Sequence, residues 1–110
     1  MSLPLGLLNT SIMTTDGMYS LQTINLEVAK ELIAQNCENI LSAIGHQSTA
    51  EIMSALLEFE VQVNRIQFQQ QVGQEALVFK LRGRSPEGKI LTIEEMHEIG
   101  FDFQLMTRID

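Results

Sequence analysis

Apolar positions along the chain fall into short alternating runs and into stripes with helical spacing. Leu5 to Asn9 is an apolar run that reads as a first strand, and Thr10 to Gly17 reads as a polar loop. Met18 to Ile24 has the pattern of a second strand. Asn25 can cap a helix, because its side-chain oxygen can take a first-turn amide. Leu26, Ala29 and Ile33 then place one apolar stripe on a helix that ends near Asn36. Ile40 to Ile44 is a further short apolar stretch. Ser48-Thr49-Ala50-Glu51 has the form of a capping box, with Ile52, Leu56 and Phe59 as the buried face behind it. Asn64 to Gln70 alternates, with Ile66 and Phe68 against Gln67 and Gln69, and predicts a strand. Glu75 to Arg82 predicts another, with Leu77, Phe79 and Leu81 on one face. Thr92-Ile93-Glu94-Glu95 repeats the capping box and starts a short helix that Gly100 ends. Phe101, Phe103 and Leu105 suggest the last strand. Strands and helices are mixed without strict alternation. The expectation is a single α/β domain over residues 1–110. Its mixed β-sheet would have about five strands, with helices packed mainly on one face.

Composition adjusts this picture in four ways. A chain of 110 residues, 45% of them hydrophobic, makes one small domain with much of its surface exposed. A second copy covering one face would stabilise it, so a homodimer is expected. The single cysteine, Cys37, has no partner for an intramolecular disulfide. No charged start leads into an apolar leader and no apolar run is long enough for a bilayer, so the expectation is a cytoplasmic protein without a membrane partner. The net charge of −7 argues against long DNA or RNA as a partner. Yet five of the seven Lys and Arg residues, and only two of the fourteen acids, lie between Asn64 and Lys89. A local basic site of this kind can hold a small anion, and it is equally the composition of solvated strand ends.

Candidate chemistry is sparse. His46, His97 and Cys37 have no metal-ligand spacing and no Asp-rich motif accompanies them, so neither a metal nor a cofactor is expected. There is no nucleophile elbow, P-loop or dinucleotide fingerprint. The segment Ile44-Gly45-His46-Gln47-Ser48-Thr49 stands apart. Gly45 allows a tight turn. Ser48 is expected to cap a helix whose first amides carry about half a positive charge and can bind phosphate. His46 sits just before them, and an imidazole can protonate a departing oxygen at neutral pH. A histidine that merely fixes a loop by hydrogen bonding would have the same local pattern. A second constellation is Arg82-Gly83-Arg84-Ser85-Pro86-Glu87-Gly88. Arg84 can grip phosphate at two points and Glu87 can orient Arg84 or a histidine, although a basic strand end with an ordinary turn reads alike. His97, among Glu94, Glu95 and Glu98, is expected on the surface.

Taken in order, Leu7-Leu8-Asn9-Thr10-Ser11, Ile44 to Ala50, Val63-Asn64-Arg65, Ala76-Leu77-Val78 and Arg84-Ser85-Pro86-Glu87-Gly88 resemble the viral and mobile-element ring nucleases of the type III anti-CRISPR family. The resemblance runs from Leu7 to Arg108. It implies a homodimeric mixed α/β fold and a metal-independent phosphodiesterase that cleaves cyclic tetra-adenylate, switching off type III CRISPR signalling. The ribose 2′-hydroxyl would attack the adjacent phosphorus. By this resemblance His46 is the general acid, with Arg84 and Glu87 as its catalytic partners. Ser11, Asn9, Gly45, Gln47, Ser48, Thr49 and Arg65 are the ligand-binding residues. The implied partners are a cyclic oligoadenylate and a second copy of the chain. Two alternatives stay open: a non-catalytic dimer that sequesters a cyclic nucleotide or another anion, and a protein-interaction domain whose basic strip meets an acidic partner.

Overall fold

The alternating runs become, in the computed structural model, a five-stranded mixed sheet. The structure describes residues 3–9, 16–81 and 93–110, without the side chains of Leu81, Ile93, Met96 and His97. The elements are β1 (Leu5–Leu8), β2 (Tyr19–Ile24), α1 (Leu26–Gln35), β3 (Ile40–Ser42), α2 (Gln47–Leu57), β4 (Glu75–Leu81), α3 (Ile93–Ile99) and β5 (Phe101–Arg108). The strand order is β2-β5-β4-β1-β3. β1 runs parallel to both of its neighbours, pairing Leu7 with Ser42 of β3 and with Leu77 of β4. β5 is antiparallel to β4 and to β2. Gly100, at φ 88°, supplies the left-handed backbone between α3 and β5 that a side chain would strain.

Strand alternation divides the sheet into two faces of different construction. Leu5, Leu7, Leu77, Phe79 and Phe103 point toward the helices and meet Ala29 and Ile33 of α1 and Ala50, Ile52, Met53, Leu56 and Leu57 of α2. The rings of Phe79, Phe101 and Phe103 stack there with centroids 5.3–6.1 Å apart. Each fully buried Leu or Phe in such a layer contributes about 1.5–3 kcal/mol. The opposite face carries Leu8, Ala76, Val78 and Met106, and Phe68 packs on them. A Cβ on Gly6 would stand 2.6 Å from the Phe68 ring, so glycine is what lets the ring lie on β1.

Two local expectations are corrected. Asn64 to Gln70 is not a strand: the segment has no ladder and lies across the second face of the sheet. Alternation holds only from Gln67 to Gln70, with Phe68 and Gln70 buried and Gln67 and Gln69 exposed, whereas Ile66, expected beside Phe68, is exposed. The cause is a chain laid over a surface. Gln70 anchors it by donating from Nε2 to the carbonyls of Gln74 and Met106. The second correction concerns Ser48, which does not cap α2. The helix begins two residues earlier, with His46 as its cap residue, because the Ala50 amide already donates to the His46 carbonyl. Glu51 instead accepts from the Gln47 side chain at 3.1 Å. At the other end of α2 the chain leaves through Glu58, at φ 54°, and Phe59 lies beyond the helix. Of the apolar stretch Ile40 to Ile44, only Ile40–Ser42 forms a strand.

Candidate functional site

In sheets of this type ligands meet the carboxyl ends of parallel strands, where loops leave the sheet together. The register sets that edge. β1, β3 and β4 end on the same side, at Leu8, Ser42 and Leu81. Asn9 follows β1 there, half-buried, and Ala43 to His46 follow β3. Leu81, at the end of β4, faces Phe101 at the start of β5. Asn9 and the turn carrying His46, far apart in sequence, therefore leave the sheet along one edge.

The turn carrying His46 is held by a strap, residues 61–65, that crosses it. Ser42 Oγ donates to the Gln62 carbonyl at 2.6 Å and accepts from the Ile44 amide at 3.3 Å. Asn64 Nδ2 donates to the Ser42 carbonyl at 2.8 Å, and the Asn64 amide donates to the Ile44 carbonyl, also at 2.8 Å. Arg65 Nε donates to the Gly45 carbonyl at 2.9 Å. The strap is tied to α2 as well, since the Val61 amide donates to Ser54 Oγ. Asn64 and Arg65 reach the Ser42–Gly45 turn through one backbone bond and two side-chain donors to backbone carbonyls, not through a shared element.

At this turn α2 presents an open amino end. His46 is exposed, and its side chain makes no cap hydrogen bond to the first turn. Gln47 and Ser48 are also exposed, Thr49 is half-buried, and no acid lies in the first turn. Such an end attracts an anion through its amides and its dipole. The exposed Arg65 guanidinium adds a positive charge beside it. Gly45 plays a lesser part than its sequence context suggests. It is not among the left-handed glycines, and a Cβ there would meet only the Arg65 stem, at 3.4 Å.

The structure thus brings together Gly45, His46, Gln47, Ser48, Thr49 and Arg65, with Asn9 on the same edge. Ser11, Arg84 and Glu87 lie outside the described residues, as do Arg82 and Thr92, the first residue of the second capping box. His97 is on α3, and its side chain is outside them too. Among the described residues no group of three His, Cys, Asp or Glu side chains could hold a metal ion, and no helix is long and apolar enough to cross a membrane. A cavity of about 350 Å³ opens elsewhere, between β3 and the strap, lined in part by Leu41, Ser42, Phe59, Val61 and Asn64. Neither His46 nor Arg65 lines it, so this cavity and the candidate chemistry are separate features. Sequence reasoning missed Ser42. The signal was a lone polar residue in the apolar run Ile40-Leu41-Ser42-Ala43-Ile44.

The architecture and this edge define a class that the comparisons identify. A family profile described as STIV B116-like matches residues 5–103, and the chain belongs to that family of viral and mobile-element proteins. It is 32% identical over 106 residues to the uncharacterized protein YddF of Bacillus subtilis (strain 168), covering 96% of this chain and 98% of that one. It is 35% identical over 112 residues to the uncharacterized protein ORF117 of Acidianus two-tailed virus, covering 98% and 96% respectively. Among solved structures, B116 of Sulfolobus turreted icosahedral virus shares the fold, with a TM-score of 0.79 at 22% identity over 96% of this chain and 99% of that one.

Proposed function

We propose that this chain is a metal-independent ring nuclease acting on cyclic tetra-adenylate, and so a protein that switches off type III CRISPR signalling. The observation that carries the reading is the exposed His46 at the uncapped amino end of α2, with the Arg65 guanidinium bonded to the same turn. Phosphodiester cleavage needs an anion site beside a proton donor, and the open α2 start with His46 and Arg65 at it supports these two roles. The ribose 2′-oxygen forms a bond to the adjacent phosphorus while the bond from phosphorus to the 5′-oxygen breaks. The His46 imidazolium gives its proton to that leaving oxygen, and the 2′-hydroxyl proton passes to solvent. The products are a cyclic 2′,3′-phosphate and a free 5′-hydroxyl. Because the nucleophile is already held beside its phosphorus, in-line alignment and charge stabilisation remain for the protein to supply. The helix-start amides and Arg65 offset phosphoryl charge. Arg84 and Glu87 are assigned as catalytic partners on the family resemblance alone, as is Ser11 for ribose or phosphate placement. A two-fold homodimer suits a ligand that is a symmetric ring, each copy facing an opposite phosphate.

The test is incubation of the purified protein with cyclic tri-, tetra- and hexa-adenylate in EDTA, followed by chromatography of the products. Linear fragments ending in a cyclic 2′,3′-phosphate support the reading. Return of every ring intact, with tight binding by calorimetry, would leave a sequestering dimer in its place.

A further inference from the structure

We infer that Ser42 and Asn64 are positioning residues for His46, acting through the backbone of the Ser42–Gly45 turn. The inference deepens the ring-nuclease reading and rests on it for its activity readout. It starts from where the strap gets its position. Of the residues in the strap, Val61 is buried, but Gln62, Val63 and Arg65 are exposed, and Asn64 is half-buried. The cavity opens behind the strap, lined by Phe59, Val61, Val63 and Asn64. Packing therefore grips this segment at one end only, and hydrogen bonds must hold the rest.

Beside the Arg65 bond to the Gly45 carbonyl, those bonds converge on two side chains. Ser42, itself buried, uses one hydroxyl twice: Oγ donates to Gln62 and accepts from Ile44, so strap and turn share a single atom. Asn64 returns the tie with two donors, its side-chain amide to Ser42 and its backbone amide to Ile44. Ile44 is fully buried, so this pair of bonds fixes the last residue before Gly45-His46 against the core. Neither side chain belongs to the amino end of α2. Their effect on chemistry is exerted through the direction in which the turn aims His46. A misplacement of about 1 Å in a catalytic group can cost on the order of 10²-fold in rate. An isosteric change that removes one donor is therefore expected to slow the reaction with little effect on ring binding.

The experiment uses Asn64→Asp, which cannot donate to the Ser42 carbonyl, Ser42→Ala, which loses the shared hydroxyl, and Ser42→Thr, which keeps it and places a methyl beside the cavity. Three readouts are made: single-turnover cleavage of cyclic tetra-adenylate, its binding by calorimetry, and the His46 imidazole resonances in ¹H–¹³C spectra of the ring-free protein. Asn64→Asp and Ser42→Ala are expected to slow cleavage by roughly 10–100-fold. Binding should stay near wild type while the His46 resonances move, and Ser42→Thr should restore both rate and resonances. If Ser42→Ala does not fold, Asn64→Asp and Ser42→Thr decide the matter. Lower melting temperatures with unchanged rate and unmoved His46 resonances would make both residues simple scaffold and overturn the inference. If the wild type leaves the ring intact, the ring-nuclease reading falls by itself. The resonances then decide the positioning claim, and unmoved His46 signals in Asn64→Asp overturn it.

Discussion

α1 and α2 both begin at the same edge of the sheet, yet their first turns are built oppositely. At α1, Asn25 Oδ1 accepts from the Val28 amide at 2.9 Å, and Glu27 places an acid in the first turn. At α2, the cap residue is His46, which makes no side-chain cap bond, and no acid follows it. α1 satisfies its own positive end, whereas α2 leaves donors and dipole for something else. A helix start that forgoes capping gives up about 0.5–2 kcal/mol. Under the proposed function, this open start is where local stability yields to binding.

The comparison can be broken at several points. The largest effect is expected from His46→Ala, which should lower single-turnover cleavage of cyclic tetra-adenylate by about 10²–10⁴-fold while ring binding by calorimetry persists. Cleavage at the wild-type rate would remove His46 from the mechanism. Next, His46→Asn copies Asn25 onto α2. It should raise stability by about 1 kcal/mol in urea unfolding while abolishing cleavage. A destabilised protein would show that the α2 amino end is not open in solution. The reciprocal change, Asn25→Ala, should cost about 1 kcal/mol and leave ring cleavage unchanged, since α1 presents no site. The smallest effect is expected from Ser48→Glu, which sets an acid at the position Glu27 holds in α1. It should stabilise by about 0.3–1 kcal/mol at low salt and weaken ring binding. Unaltered binding would place the phosphate away from the α2 amides.

A similar contrast explains what could be read in advance. Asn25 was legible as a cap because an Asn before a helical stripe has one common use. Ser48 was misread because the same residue type two positions inside a helix looks identical in one dimension. Where helical bonding begins depended on the turn after β3 and on the strap that holds it. Asn64 to Gln70 was misread for a related reason. Period-two burial reports that a chain lies on a surface, and a ladder is only one way to do so. Phe68 needed Gly6 beneath it, and that pairing spans more than half the chain. His46 and Arg65 were both legible as candidates, but not their common anchorage at Gly45.

By itself the amino-acid order determined most of the local elements and the faces they bury, but not the path of Asn64 to Gln70 or the start of α2. Alternation and helical stripes are short-range consequences of backbone geometry, visible in Leu77 and Phe79 or in Ala29 and Ile33. Only the tertiary structure decided that β1, β3 and β4 run in one direction and end on one edge, and that α2 opens there while α1 is closed. Strand order and direction depend on contacts between residues distant in the chain, and no local pattern encodes them.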